Sequence, residues 1–229
     1  MWAEMGEASR RPRADAERNR RRLLDAAAEL FGERGLDVGV AEIAQHAGVG
    51  RGTLFRNFPT KEDLVAAIVV DAMNEATSLG RELLDAPDAG EALFQFLDAA
   101  ADRQQRSRAL FEAVEETFLV NPEIRAAHAD VIDVLGRLLA RAQEAGVVRP
   151  DVAAFDVLML LKGICETAAA FQQLDPQIAE RQLDLVRAAL TPPATPQKLR
   201  GRSPTLDDLE RAFAPEVQSE SADRGRATG

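Results

Sequence analysis

Four side chains in one short stretch, Arg51, Thr53, Arg56 and Asn57, carry the most directed hydrogen-bonding chemistry in the chain. An arginine fork matches guanine O6/N7 or a phosphate, an asparagine amide can pair with adenine, and a threonine methyl can touch that of thymine. Leu54 and Phe58 interrupt the set and can turn inward, so the polar groups stand on the outside of a helix of about one and a half turns. Covalent chemistry finds no such support. A nucleophile would need a base beside Cys165 or a serine, and the two histidines, His46 and His128, offer little. The phosphate-cradling loop, the dinucleotide fingerprint, the zinc-protease motif and the calcium loop are missing from the sequence. Gly48-x-Gly50-x-Gly52 lacks the third glycine's spacing and reads as turn chemistry. The expectation is a protein that is not an enzyme, with no cofactor and no bound metal.

A helix spanning Arg51 to Asn57 is too short to stand alone and must be held by its neighbours. Ile43, Ala44 and Ala47 mark the apolar face of a preceding short helix, and Gly48 follows at the position where a left-handed residue ends it. Val49 can plug the angle between the two helices. Thr60, with Asp63 three residues later, is close to a capping box and opens a third element. Two short helices on a tight glycine turn form a helix-turn-helix, whose second helix lies in the DNA major groove.

The run I-A-x-x-A-G-V-x-x-G-T-L-[aromatic]-x-x-F-x-[ST]-K-E-x-L, present as Ile43 through Leu64, resembles the tetracycline-repressor (TetR) family of transcription regulators. The resemblance implies an all-α fold with an N-terminal three-helix DNA-binding domain and a C-terminal helical domain for ligand binding and dimerisation. It also implies DNA-facing positions at Gly39, Gly50, Arg51, Gly52, Thr53, Phe55, Arg56, Asn57 and Lys61. Three of these depart from the family's usual residues: Gly39 replaces a capping threonine, Gly50 a serine and Phe55 a tyrosine. The lost hydroxyls commonly contact phosphates, which set register and affinity. More of the grip should then fall to Lys61, to the backbone at Thr60–Lys61 and to the N-terminal arginines. Asn57 stands where histidine is frequent, so base preference does not carry over.

The formal charge of −10 suits this reading only once it is divided along the chain. Residues 1–61 hold eleven Lys/Arg against nine Asp/Glu, a balance of +2, and the remainder carries −12. Arg10 to Arg22 alone reaches +5, with seven arginines against Asp15 and Glu17. A basic tip on an acidic body orients a protein on DNA, since the relevant field is local. Hydrophobic residues make up 46% of the chain, enough for a core, and the absence of tyrosine beside abundant alanine and leucine favours helix. Cys165, the single cysteine, excludes an internal disulfide and suits a reducing cytoplasm. No signal peptide is legible, and the apolar run Val157–Leu161 is too short to span a bilayer.

Residues 1–13 show no periodicity and read as a flexible basic arm, either a plain disordered terminus or one whose Arg10, Arg11 and Arg13 follow the DNA. The DNA-binding domain is expected over residues 14–60, its first helix beginning near Asp15 and ending at Gly35. A regulatory and dimerisation domain is expected over 61–190, entered by a helix from Thr60 to about Asp85. Helices over Glu91–Gln104 and about Ser107–Leu119 follow. Asn121-Pro122 is an N-cap with proline at the first helical position, opening a long helix closed by Gly146. His128 on its apolar stripe is either a hydrogen-bonded core residue or a pocket contact. Asp151 is expected to cap a helix apolar all round, and Asp175-Pro176 to open the last. These two resemble the family's dimerisation pair, which meets its twin as a four-helix bundle. Residues 191–229, rich in proline, serine and charge, are expected to be a disordered tail.

The function these features point to is ligand-responsive transcription control, most simply repression at a near-palindromic operator on double-stranded DNA by a homodimer. A small apolar effector would be contacted by Phe94, Phe111, Phe118, His128 and Met159. Two alternatives are a DNA-binding protein without an effector, and a helical small-molecule-binding protein that has lost DNA binding. None of the three calls for a membrane.

Overall fold

The computed structural model describes residues 7–106, 110–111, 121–171, 175, 177–195, 198–205, 208 and 211. The described residues form eight helices: α1 Glu7–Arg34, α2 Val40–His46, α3 Arg51–Asn57, α4 Lys61–Leu83, α5 Ala89–Arg106, α6 Pro122–Glu144, α7 Ala154–Phe171 and α8 Ile178–Leu190. The glycine stops are where the sequence places them. Gly35, Gly48 and Gly146 adopt φ of 73°, 66° and 72°, in the left-handed region that a side chain resists. The Thr60 hydroxyl accepts from the Asp63 N–H and the Asp63 carboxylate from the Thr60 N–H, completing the capping box. Asn121 caps α6 through the N–H groups of Glu123 and Ile124, at 2.9 and 3.1 Å, with Pro122 at the first position.

Helices α1, α2 and α3 close a small core around Leu23, Ala27, Phe31, Ile43, Leu54 and Phe58. The same cluster continues through Leu64 and Ile68 of α4 to Ile124 and Ala127 of α6, so the three-helix head is not a detached bead. A second core joins α5, α6 and α7 through Leu93, Phe96, Val134, Leu138 and Val157. Between them α4 packs most extensively on α6. Gly80 makes that approach possible, because a Cβ there would lie 2.8 Å and 2.9 Å from the two Val134 methyls. A third, smaller cluster seats α7 against α5 and α8 through Ala101, Leu161, Ile164, Cys165 and Leu183.

Several boundaries differ from expectation. Helix α1 begins at Glu7, inside the segment expected to be an arm. Periodicity marks only where a helix buries a face; alanine, glutamate and arginine prolong an existing helix at little cost without burial. Asp151 does not cap α7. Its carboxylate accepts from Arg149 at 2.6 and 2.9 Å and from the Leu199 N–H at 3.2 Å, while Asp156 receives the Ala153 N–H at 2.9 Å. That contact lays the chain after α8 back over the α6–α7 turn, so residues 198–205 are placed where a disordered tail was expected. Helix α8 starts at Ile178, and Asp175 accepts the Gln177 N–H at 3.0 Å in the turn before it. The helix expected over Ser107–Leu119 falls mostly outside the described residues, as do residues 1–6 and 212–229.

Candidate nucleic-acid interface

The two short helices are set by a turn that satisfies its own backbone. The Gly48 N–H donates to Gln45 at 3.1 Å and the Val49 N–H to Ala44 at 2.9 Å, which closes α2 and turns the chain. Val49 packs into the angle, and Ile43, Leu54 and Phe58 are buried beneath it. Burial on that side leaves Arg51, Gly52, Phe55 and Arg56 exposed on the other. Phe55 is 48% exposed, far more than a packing role would allow.

The outward residues are not equally available. Arg51 makes no side-chain hydrogen bond or ion pair among the described residues. Arg56 donates through Nε to the Gly52 carbonyl at 3.0 Å and lies 3.4 Å from the Thr53 hydroxyl. Asn57 is half-buried, with its amide on the Thr53 carbonyl at 2.7 Å. Lys61 turns away from the outer face: its Nζ donates to the Leu36 carbonyl and lies 5.5 Å from the centre of the Phe31 ring. Gly39 and Gly50 occupy the N-cap positions of α2 and α3 with no side-chain cap, and a Cβ on either, or on Gly52, would meet nothing within 4 Å.

Two arginines of α1 serve the fold as well as the charge of the tip. Arg20 lies over the Phe58 ring at 4.6 Å, a cation–π contact that seats α1 on the end of α3. Arg21 reaches α4, pairing with Asp71 at 2.9 Å and with Glu75 at 3.1 Å. Periodicity gives no sign of either contact. One clue did exist: Asp71 and Glu75 are like charges four residues apart, which repel on a lone helix and call for a cation.

Comparison with known proteins places this geometry. Residues 23–68 match the family model "Bacterial regulatory proteins, tetR family", and residues 88–192 match "Transcriptional regulator SbtR-like, C-terminal domain". A crystal structure of a TetR transcription regulatory protein from Mycobacterium vanbaalenii is 35% identical, covering 78% of this chain and 98% of that one, with a TM-score of 0.59. The chain belongs to the TetR family. The TetR regulator SCO0520 from Streptomyces coelicolor is 32% identical over 76% of this chain and 99% of its own, with a TM-score of 0.63. UidR of Escherichia coli (strain K12), an HTH-type transcriptional regulator, is 24% identical over 143 residues, 60% of this chain and 73% of that protein. The chain is accordingly a DNA-binding transcriptional regulator with the all-helical, two-part architecture of its TetR relatives, which are regulators rather than enzymes.

Four of the five residues expected at a ligand pocket lie among the described residues of this TetR-family body. Met159 is 54% exposed on the outside of α7. Phe94 lies beneath the Arg187 guanidinium at 5.2 Å, and Phe111 packs against the core shared by the head and α4. Phe118 lies outside the described residues. His128 is largely buried on α6, and burial, with the Lys162 charge beside it, pushes its pKa down to about 4. A cavity of about 110 Å³ lies between α4 and α5, lined by Ala76, Leu79, Phe96 and Ala99 together with Glu75 and Arg103. Pocket-lining and core-filling side chains share one sequence pattern, so spacing alone does not separate them. Cys165 is buried and its thiol is pushed up to about 11 by burial and by Glu166 nearby, so it is poorly reactive. Among the described residues no group of His, Cys, Asp or Glu could hold a metal, and no helix is long and apolar enough to cross a membrane.

Proposed function

We propose that this TetR-family chain is an effector-responsive repressor that binds a near-palindromic operator as a homodimer. The observation that carries the reading is the outer face of α3: Arg51, Gly52, Phe55 and Arg56 exposed together on a helix whose inner face is locked into a rigid core. In a dimer two such faces enter successive major grooves about 34–36 Å apart. Arg51, Thr53 and Asn57 read base edges, Asn57 after releasing its intrahelical bond. Arg56 and the α1 arginines other than Arg20 and Arg21 hold phosphates.

Dimerisation is assigned to α7 and α8. Met159, Leu160, Phe171 and Leu185 are 54%, 44%, 51% and 62% exposed, a concentration of large apolar groups that a lone chain leaves in water. A second copy across a twofold axis covers them. The effector is a small molecule held in the regulatory domain, and it releases the operator by favouring a different setting of the two heads.

Fluorescence anisotropy on duplexes selected by the protein from genomic fragments tests the proposal. Two protomers per site and at least about a thousand-fold preference over random duplex support it; failure to select any duplex rejects it. A second reading, a DNA-binding protein without an effector, draws on the modest cavity, which is well below the roughly 300 Å³ of ordinary ligand sites. A library of small molecules, none of which alters the affinity of the bound operator, would favour that second reading.

A further inference from the structure

One carboxylate joins three helices of the two domains. Glu75 of α4 accepts from Arg21 of α1 through Oε1 at 3.1 Å and from Arg103 of α5 through Oε2. Arg21 also forks onto Asp71 at 2.9 and 3.1 Å and pairs with Asp25 of its own helix at 2.9 Å. Arg103 additionally faces the Ala72 carbonyl at 3.5 Å and, with Glu75, lines the α4–α5 cavity. Two guanidinium groups thus serve Asp25, Asp71 and Glu75. Asp71 and Glu75 sit one turn apart on α4 and repel, so each arginine that withdraws leaves an acid uncompensated. Burial raises the pKa of Asp71; for Glu75 the burial penalty is outweighed by its two arginine bonds, and its pKa falls. An isolated exposed pair would matter little, but a carboxylate shared between two helices couples their positions.

We propose that Glu75 is a positioning residue through which α5 sets the seat of the DNA-binding head on α4. Arg103 then acts on DNA binding without being part of the head. A shift of α5, as on filling the cavity that the pair lines, draws Arg103 from Glu75, and the carboxylate re-forms its bonds with Arg21 and its repulsion with Asp71. The seat of α1 follows. The inference rests on the repressor reading for its biological meaning, although the coupling itself is a property of the chain.

The test uses the full chain with E75Q, R103Q, R103K and the double variant E75Q/R103Q, measured on a duplex selected by the unaltered protein. R103Q is expected to weaken binding by roughly five-fold or more. R103K, which keeps the charge, should recover most of the loss. The double variant should bind no more weakly than E75Q alone, because both changes cut the same link. The melting temperature should move little, which separates positioning from general destabilisation. R103Q binding like the unaltered protein, or losses that multiply in the double variant, would overturn the proposal. Amide exchange in α1 supplies a readout without DNA: faster exchange in E75Q and R103Q is expected, and unchanged exchange in both overturns the coupling. If no duplex is selected at all, the repressor reading fails while the exchange result still decides this inference.

Discussion

Asn57 holds its amide on the Thr53 carbonyl at 2.7 Å, and Arg56 is tied to Gly52 at 3.0 Å, so both must break an intrahelical bond before they can meet DNA. Arg51, at the first position of α3 and fully outward, has no such bond to lose. Arg51→Gln should therefore cost about 1–3 kcal/mol of operator binding, read by anisotropy, while urea unfolding changes by less than about 0.5 kcal/mol. An equal loss of stability would mean that Arg51 belongs to the fold. His128 gives a prediction in pH. Its folded pKa of about 4 lies below the ordinary 6.5, so the folded chain refuses a proton that the unfolded chain accepts. Its contribution is fully present above about pH 6.5 and is lost as pH falls toward 4. At about 1.4 kcal/mol per unit, the loss reaches at most about 3 kcal/mol. Stability measured from pH 7 to 4 should decline on that schedule, and His128→Asn should flatten the decline; an unchanged slope in the variant would show that His128 is not its source.

At the level of helices, local signals were legible and long-range ones were not. The Thr60–Asp63 box, the Asn121-Pro122 start and the Gly35, Gly48 and Gly146 stops each depend on residues within a few positions, and the structure places them as the sequence does. The Arg21–Asp71 pair spans 50 positions, and nothing in the spacing of either residue names the other. Asp151 misled for the same reason: its partners include Leu199, 48 positions away. Exposure also divides residues that a periodic pattern lumps together. Met159 and Leu160 share an apolar helix with buried Leu161 and Ile164 yet face outward. Beside them stands Gly163, where a Cβ would meet nothing within 4 Å. A mid-helix glycine costs about 1 kcal/mol relative to alanine, and no close contact among the described residues requires this one. Close approach by a second α7 would require it. Gly163→Leu should therefore leave each chain folded, with undiminished helicity by circular dichroism, while sedimentation shows a weakened dimer. Leu185→Glu should do the same by placing charge on the apolar face. Dimers of unchanged strength in both variants would move the interface elsewhere.

For the molecule as a whole, charge is sorted: +2 over residues 1–61 and −12 over the rest. Sorting tells where DNA is met but not which cations meet it, because the fold takes some for itself. Arg20 lies on Phe58, Arg21 is held among acids, and Lys61 is bound to the Leu36 carbonyl beside Phe31. Lys61 in particular ties the start of α4 to the loop between α1 and α2, so it braces the head rather than extending from it. Counterion release separates the two roles, since log K falls with log salt by about 0.9 for each phosphate neutralised. Lys61→Met should lower unfolding stability by about 1–2 kcal/mol, through the charge-assisted bond it removes, and leave the salt slope of operator binding unchanged. Arg56→Gln should do the reverse, reducing the slope by about 1.8 for a dimer with one phosphate contact per protomer, at little cost in stability. A reduced slope for Lys61→Met with unchanged stability would show that Lys61 leaves Leu36 for a phosphate on binding, and that the basic tip of the free chain is rebuilt when it meets DNA.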